Sequence, residues 1–252
     1  MNKIAIVTGA AKGIGRACTT ALDAAGFGVL AWDVDREALA RLAEETPGIV
    51  AGEVDVGDVA AVQAAFAQAN ADHGRIDVLV NNAGITRRAD LLELSEEDWD
   101  RITRVNAKGA FFCMQEAARR MIQQGEGRIV NMASVAGKGF HNSSNVIYAG
   151  TKGALIAMTR MTAHKLGAHG ITVNAVCPGT TETEIVTGLI ARDAESQGIS
   201  VEESRSRMFG AIPLKRANTT EDVAALVVFL ASDGARNITG QAINVDGGLL
   251  MA

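Results

Sequence analysis

Short apolar runs of four to six residues recur along the chain, separated by longer segments with the spacing of amphipathic helices. Runs of this length, bounded by glycine or polar residues, are typical of buried β-strands. The pattern predicts seven strands, at residues 4–7, 28–32, 49–54, 76–80, 128–133, 171–176 and 242–245. It predicts helices between them at roughly 14–25, 36–45, 58–72, 96–121, 147–167 and 219–231.

This regular alternation of strand and helix determines the fold class. Strand–helix–strand units form right-handed crossovers, which place the strands parallel and the helices on both faces of one sheet. We therefore predict that residues 1–252 form a single α/β domain. Its expected architecture is a doubly wound, Rossmann-type parallel sheet of about seven strands.

One segment, residues 181–212, departs from this alternation because it is polar and rich in charge. Long excursions of this kind in compact domains are usually functional lids or disordered loops. Apolar residues near its two ends indicate a segment that packs on the domain; they are Ile185, Val186, Leu189, Ile190, Met208, Phe209 and Ile212. We expect a substrate lid here, with a merely decorative loop as the alternative.

Composition excludes several classes of protein. The net charge is −5 and Lys and Arg are not clustered, so no nucleic-acid surface is predicted. The apolar run at 224–231 is too short to cross a bilayer, and the first residues lack the features of a signal peptide. Three widely spaced cysteines show no metal-type spacing. We expect a cytoplasmic protein without a membrane segment or a metal site.

The first strand leads into a glycine-rich turn, "TGAAKGIG", with Gly9, Gly13 and Gly15. Glycines at a strand-to-helix turn let the backbone approach a ligand, and the helix N-terminus offers free N–H groups to a pyrophosphate. An ordinary glycine turn is the alternative, because the spacing differs from the commoner dinucleotide fingerprint.

The second strand supports the dinucleotide interpretation because it ends at Asp33. A carboxylate at this position accepts hydrogen bonds from the adenosine ribose and repels a 2′-phosphate, which favours NAD over NADP. Lys12, in the glycine turn, argues in the other direction because a cation there attracts that phosphate. We expect NAD, with NADP as the less favoured coenzyme, and we expect Asp35 and Arg36 to begin the next helix.

Tyr148, the single tyrosine, lies four residues before Lys152, so both occupy one face of a predicted helix. A phenol has a pKa of about 10, and a neighbouring ammonium lowers it toward a value useful for general acid–base catalysis. The alternative is a tyrosine in the core beside a lysine whose ammonium reaches solvent.

The chain resembles the short-chain dehydrogenase/reductase family in its compact form of about 250 residues. Matching pieces occur in family order along the whole chain: "TGAAKGIG" (8–15), "DV" (55–56), "NNAG" (81–84), "VN" (105–106), Ser134, "YAGTK" (148–152), "PG" (178–179) and "ITGQAINVDGG" (238–248). The resemblance implies hydride transfer by a nicotinamide coenzyme, with a catalytic set of Asn106, Ser134, Tyr148 and Lys152. In this family the serine holds the substrate oxygen, the lysine binds the nicotinamide ribose, and the asparagine completes a proton relay through water.

The resemblance also implies the cofactor contacts. They are Gly9, Lys12, Gly13, Ile14, Gly15, Asp33, Asp55, Val56, Asn82, Ala83, Gly84, Tyr148, Lys152, Pro178, Gly179, Thr181 and Thr183. Asn81 belongs to the same matching turn. The segment between Ser134 and Tyr148 is one residue longer than is common in the family, which raises the question whether Ser143 or Ser144 enters the site.

The substrate wall is expected to be polar and poor in aromatic residues. Its candidates are Ser134, His141, Asn145, Tyr148 and Thr180, with Asn142, Thr181 and Glu182 nearby. Such a wall suits a small polar substrate. Arg87, Arg88, Arg192, Arg205 and Arg207 offer a weaker indication of an anionic one.

We therefore expect an NAD-dependent oxidoreductase that acts on a small polar secondary alcohol or ketone, such as a sugar, polyol or hydroxy acid. One alternative is an NADPH-dependent 3-oxoacyl-thioester ketoreductase, for which Lys12 is the main support. The other is a non-catalytic dinucleotide-binding regulator. By resemblance to the family, a homotetramer is expected, formed in part through the helices at 96–121 and 147–167.

Overall fold

The computed structural model describes residues 2–141, 144–182 and 184–251. Seven parallel strands form one sheet in the order β3-β2-β1-β4-β5-β6-β7. Their bounds are β1 Ile4–Thr8, β2 Gly28–Asp33, β3 Ile49–Glu53, β4 Val78–Asn81, β5 Gly127–Met132, β6 Ile171–Pro178 and β7 Ala242–Val245. The predicted parallel sheet is confirmed, and each strand end lies within two residues of its predicted position.

Nine α-helices of the described residues accompany the sheet. They are α1 Gly13–Ala24, α2 Arg36–Glu45, α3 Val59–His73, α4 Glu96–Thr103, α5 Ala110–Gln124, α6 Val146–Leu166, α7 Glu184–Gln197, α8 Val201–Phe209 and α9 Thr220–Ala231. In this part of the chain, none of them is long and apolar enough to cross a membrane.

Helices cover both faces of the sheet, and strands β1, β4 and β6 are buried along their whole length, which explains their largely apolar sequences. Side chains alternate along a strand, so Ala5 and Val7 pack with α1, α2 and α9 on one face, while Ile4 and Ile6 pack with α3, α5 and α6 on the other. Each face therefore has its own core, and the predicted coverage by helices on both sides is confirmed.

The strand order reverses direction at β1, which lies between β2 and β4. In open α/β sheets, ligands bind in the crevice that such a reversal opens beyond the carboxyl ends of the strands. The glycine turn follows β1 and the "NNAG" turn follows β4, so the two predicted cofactor segments flank this crevice.

The long helix predicted at 96–121 is interrupted by a π-helical segment, Arg104–Gly109, between α4 and α5. Such wide turns are rare and occur frequently at functional sites. Here the Asn106 side chain bonds the Ile85 backbone, and a Cβ on Gly109 would lie 2.7 Å from the Val56 carbonyl oxygen. The apolar periodicity of 96–121 does not reveal the interruption, because tertiary contacts on both sides of the turn produce it.

The polar segment at 181–212 contains α7 and α8. Several of its apolar residues form a small cluster, in which Ile190, Phe209 and Ile212 are buried with Ala217. Val186 of the segment and Leu249, which follows β7, pack against this cluster. Met208 is 40% exposed instead. The segment packs on the domain as expected, and its role as a lid remains a prediction.

Candidate active site

A cavity of about 790 Å³ opens at the carboxyl ends of the strands, a volume suited to a small molecule or cofactor. Most predicted cofactor and catalytic residues line it: Gly9, Lys12, Ile14, Gly15, Asp33, Asp55, Val56, Asn82, Ala83, Gly84, Ser134, Tyr148, Lys152, Pro178, Gly179 and Thr181. Gly13, Asn106, His141, Asn145 and Thr180 lie outside this lining. Thr183 is outside the described residues.

The cavity has two ends that differ in their lining residues. We call the part around Lys12, Asp33 and Asp55 the β2–β3 end, and the part around Ser134, Tyr148 and Lys152 the β5–β6 end.

Backbone contacts that leave no space for side chains fix the glycine turn. Gly9 has φ +63°, and a Cβ on Gly15 would lie 1.9 Å from the Gly9 carbonyl oxygen. The Asn82 side-chain amide donates to the carbonyls of Thr8, at 3.1 Å, and Gly9, at 2.9 Å. Close backbone approach at a helix N-terminus suits a phosphate group. These residues therefore fit the pyrophosphate of a dinucleotide.

Two backbone N–H groups orient the Asp33 carboxylate at the end of β2. The Ala11 N–H donates to Oδ2 at 2.9 Å, and the Asp35 N–H donates to Oδ1 at 3.0 Å. Asp33 is thus tied both to the glycine turn and to the start of α2. A carboxylate held at this place suits the hydroxyls of an adenosine ribose.

Asp35 caps α2, as expected, by accepting the Ala38 N–H at 3.0 Å. Its other carboxylate oxygen lies 2.6 Å from the Lys12 ammonium. Lys12, the cation expected to attract a 2′-phosphate, therefore forms an ion pair with Asp35.

Asp55 also forms an ion pair, in which Arg104 Nη1 lies 2.8 Å from its Oδ2. The Gly57 N–H donates to Oδ1 at 2.8 Å. Burial raises the pKa of Asp55, but Arg104 and Gly57 outweigh that effect and hold it below its usual value. The carboxylate is therefore ionised and fixed beside the cavity.

Lys152 is buried at the β5–β6 end, with 3% of its surface exposed. Its ammonium donates to the Met132 carbonyl oxygen at 2.7 Å and lies 5.5 Å from the centroid of the Tyr148 ring. Burial disfavours the charged form and lowers the pKa of Lys152 to about 8. The fold thus holds a cation in the floor of the cavity at an energetic cost.

Tyr148 is half-buried beside this lysine. Burial has the largest effect on the phenol and raises its pKa, whereas a hydrogen bond with Ser134 lowers it. The expectation that Lys152 lowers the pKa of Tyr148 is therefore wrong for this structure, because desolvation of the phenolate dominates. At neutral pH Tyr148 is a phenol with a proton to donate.

Ser134 is positioned by the short 3₁₀ turn Val135–Lys138, which it caps by accepting the Ala136 N–H at 3.1 Å. A Cβ on Gly137 would lie 2.6 Å from the Lys152 carbonyl carbon, so the turn packs directly on the backbone of α6. This contact holds Ser134 against the helix that carries Tyr148 and Lys152, and the three predicted catalytic residues meet in one place.

Asn106 is fully buried in the π-helical segment and lies behind the cavity wall. Its Oδ1 accepts the Ile85 N–H at 2.8 Å, and its Nδ2 donates to the Ile85 carbonyl at 2.9 Å and to Thr151 Oγ1 at 3.2 Å. The side chain thus fixes the chain after the "NNAG" turn against α6. Its part in a proton relay remains a prediction.

The predicted substrate residues lie in different environments. Asn145 is buried and caps α6: its Oδ1 accepts the Tyr148 N–H at 2.8 Å, and its Nδ2 donates to Thr86 and Arg87. Thr180 is half-buried, and its carbonyl accepts the Asn218 N–H at 2.9 Å. His141 is exposed. The roles of these residues in binding substrate remain predictions.

Of the two serines in the longer loop that could enter the site, Ser144 belongs to the described residues and Ser143 does not. Ser144 Oγ lies 2.8 Å from Thr86 Oγ1, so its hydroxyl is already hydrogen-bonded. Asn142 and Ser143 lie outside the described residues.

Sequence reasoning missed several residues of the cavity wall, which are Val34, Val54, Ile85, Arg101, Arg104, Val105, Met132 and Ala133. Arg104 is the most relevant of them to cofactor binding, because it forms an ion pair with Asp55, a predicted cofactor contact. Its position directly before "VN" was a usable signal, but its partner is distant in sequence and only the fold brings the two together.

Comparison with known proteins identifies the family of this chain. The family described as enoyl-(acyl carrier protein) reductase matches residues 9–250. A 3-oxoacyl-[acyl-carrier-protein] reductase FabG from Thermotoga maritima is 40% identical over 99% of this chain and 98% of its own. A short-chain reductase, NovJ, from Streptomyces niveus is 40% identical over 98% and 94%. A sorbitol dehydrogenase from Cereibacter sphaeroides is 38% identical over 100% and 98%. The chain belongs to the short-chain dehydrogenase/reductase family and is an NAD(P)-dependent oxidoreductase that acts on CH–OH groups.

Proposed function

We propose that the protein interconverts a 3-oxoacyl thioester and the corresponding 3-hydroxyacyl thioester with NAD(H) as coenzyme. The similarity to 3-oxoacyl-[acyl-carrier-protein] reductases supports this substrate class, at 40% identity in Thermotoga maritima and 38% in Staphylococcus aureus. These relatives favour the thioester, the alternative in the sequence-based expectation, over a polyol. The sorbitol dehydrogenase relative supports a polyol as the second candidate.

The main support for NAD(H) over NADP(H) is the position of the Asp33 carboxylate. It lines the cavity with both oxygens oriented by backbone N–H groups. A fixed anion at the ribose accepts hydroxyl hydrogen bonds and repels a 2′-phosphate. The nearby cation Lys12 is held in an ion pair by Asp35, 2.6 Å away.

The β5–β6 end supplies the acid–base chemistry, while the bound nicotinamide coenzyme supplies or accepts the hydride. In the reductive direction, Ser134 donates a hydrogen bond to the ketone oxygen, and Tyr148 gives that oxygen its phenolic proton. The carbonyl group then gains one hydride and one proton and becomes a CH–OH group. The raised pKa of Tyr148 keeps the phenol protonated at neutral pH, so its proton is present for donation. Lys152 holds the nicotinamide ribose, and the segment 181–212 closes over the substrate as a lid.

The test is a substrate panel monitored by NADH absorbance, with a 3-oxobutanoyl thioester in reduction and 3-hydroxyacyl thioesters and sorbitol in oxidation. We expect the highest kcat/KM for the 3-oxobutanoyl thioester with NADH. Activity confined to sorbitol would support the second candidate instead. A higher kcat/KM with NADPH would refute the proposed coenzyme. Tight NAD binding without turnover of any substrate would support the non-catalytic regulator.

We propose further that the protein is a cytoplasmic homotetramer. Large apolar side chains are exposed on α4, α5 and α6, and include Trp99, Phe111 and Met161. Their burial between subunits would remove this apolar surface from water. Cys18, Cys113 and Cys177 are free thiols, as a reducing compartment allows. Light scattering coupled to size-exclusion chromatography tests the assembly, and a monomeric mass would contradict it.

A further inference from the structure

The coenzyme preference proposed above rests on Asp33, but a second carboxylate lies close to it. We propose that Asp35 disfavours a 2′-phosphorylated coenzyme by holding the Lys12 ammonium in an ion pair, so that this ammonium is not free to bind the 2′-phosphate. The inference rests on the proposed use of NAD(H) and names a second residue that determines it.

Lys12 and Asp33 line the cavity at its β2–β3 end, where the ribose is expected. Lys12 is therefore the cation placed to reach a 2′-phosphate. Its side chain is 70% exposed and is held by one carboxylate oxygen of Asp35, 2.6 Å away. The pKa of Lys12 is raised by its hydrogen bond to Asp35, as expected for an ammonium that a carboxylate stabilises.

Asp35 is a well-anchored partner for this lysine. Its Oδ1 accepts the Ala38 N–H as the cap of α2, which turns Oδ2 toward Lys12. An anchored carboxylate loses little side-chain entropy when it binds a cation, so this pair competes with a ligand more effectively than two flexible side chains would.

Other cations near this end also have carboxylate partners. Arg16 is paired with Glu45, Arg36 with Glu53 and Arg104 with Asp55. Arg41 of α2 is close enough to lower the pKa of Lys12. A phosphate at the ribose would therefore meet the Asp33 charge, while most nearby cations are neutralised. Arg101 and Arg104 also line the cavity, but they are paired with Asp98 and Asp55. Releasing Lys12 therefore adds a free counter-charge at the β2–β3 end.

The experiment measures the dissociation constants of NAD⁺ and NADP⁺ by calorimetry, which needs no substrate. The proteins are the wild type, Asp35→Ser, Lys12→Met and the double variant. Serine retains the helix cap and removes the charge. We expect Asp35→Ser to improve the ratio of NADP⁺ to NAD⁺ affinity about three- to tenfold, the scale of one exposed ion pair with a multiply charged phosphate. High salt should reduce this gain.

Lys12→Met separates the release of lysine from the loss of a nearby negative charge. In the Lys12→Met background, Asp35→Ser should change the ratio by less than about twofold, because there is no ammonium to release. Asp58→Ser is the matched control: it removes the exposed capping aspartate of α3, and should leave the ratio unchanged. Thermal unfolding of each variant establishes that the fold is retained.

Two results would overturn the inference: an unchanged ratio in Asp35→Ser, or an equal gain with and without Lys12. Tighter binding of NADP⁺ than NAD⁺ by the wild type would instead refute the proposed coenzyme. That outcome is separate, because the effect of Asp35→Ser is measured against the wild type whichever coenzyme is preferred.

Discussion

At the β2–β3 end of the cavity, two cations are paired with carboxylates, whereas at the β5–β6 end no carboxylate of the described residues pairs with the buried Lys152. Lys12–Asp35 and Arg104–Asp55 lie near the surface. The Lys152 ammonium is bonded to a backbone carbonyl and has a pKa of about 8. One cavity thus contains two electrostatic environments.

The difference in burial between the two ends assigns coenzyme selectivity to the β2–β3 end and catalysis to the β5–β6 end. Exposed ion pairs contribute roughly 0 to 1 kcal/mol, so changes at the β2–β3 end should alter coenzyme preference in small steps. Burial shifts pKa values by several units, and one unit corresponds to about 1.4 kcal/mol. The β5–β6 end can therefore supply the large effects that proton transfer requires.

Replacement of the proton donor should have the largest effect. We expect Tyr148→Phe to lower kcat at least about 100-fold, the scale of general acid–base catalysis, because the ketone oxygen loses its proton source. The dissociation constant of NAD⁺ should stay within about twofold of the wild-type value. Steady-state kinetics and calorimetry measure the two quantities. Wild-type turnover in this variant would show that another group donates the proton.

Lys152→Met should show the cost of the buried charge. The pKa of Lys152 is about 8 in the folded protein, below its ordinary 10.5. The unfolded chain therefore binds more protons between these values, and the contribution of Lys152 to the free energy of unfolding rises with pH across that window. We expect the wild type to gain about 3 kcal/mol relative to the variant from pH 8 to pH 10.5.

Urea denaturation of both proteins over that pH range measures this difference. Comparison with the variant cancels the contributions of other titrating groups that the two proteins share. A difference that stays constant, or one that falls as the pH rises, would show that burial does not destabilise the ammonium.

At the other end, Asp33→Asn tests the ribose contact. The amide keeps an oxygen for only one of the two backbone N–H groups that Asp33 accepts, and it loses the charge that strengthens hydrogen bonds from ribose hydroxyls. We expect the dissociation constant of NAD⁺ to rise about tenfold, the scale of one charge-assisted hydrogen bond. That of NADP⁺ should rise less, because repulsion of its phosphate is relieved. An equal loss for both coenzymes would place Asp33 away from the 2′ position.

Arg104→Met should have the smallest effect. The pair with Asp55 is exposed, with 45% of the arginine side chain and 40% of the aspartate side chain accessible. We expect the free energy of unfolding to change by less than about 1 kcal/mol. Urea denaturation at pH 7.5 checks this value beside Lys152→Met. A loss of several kcal/mol would remove the distinction between the two ends.

The sequence predicts the sheet well, because buried parallel strands appear as apolar runs. It also predicts that the motifs lie close together, because the carboxyl ends of parallel strands share one edge of the sheet. Gly15, Asp33, Ser134 and Tyr148 all line the predicted crevice. The spacing of Tyr148 and Lys152 also predicts their common helix face correctly. It does not predict that the ammonium bonds the Met132 carbonyl, which depends on the neighbouring strand.

Other features depend on partners far apart in sequence. The π-helical segment forms where Asn106 reaches Ile85, and the Asp55–Arg104 pair joins a loop to a helix. Asn145 is a different case, since an Asn directly before an apolar helical run is a helix-cap signal. Its capping of α6 was therefore readable from the sequence.

A double-mutant cycle on Tyr148→Phe and Asp33→Asn tests the separation of the two ends most directly. Asp33 ends β2, and Tyr148 lies in α6, the α-helix after β5. Strands β1 and β4 lie between β2 and β5 in the sheet. kcat and the NAD⁺ dissociation constant are measured for the wild type, both single variants and the double variant. We expect Tyr148→Phe to change kcat alone and Asp33→Asn to change NAD⁺ affinity alone. In the double variant, the changes in activation free energy (from kcat) and in binding free energy (from the dissociation constant) should each equal the sum of the single-variant changes within about 0.5 kcal/mol. A coupling above about 1 kcal/mol, or a loss of NAD⁺ affinity in Tyr148→Phe, would contradict that separation.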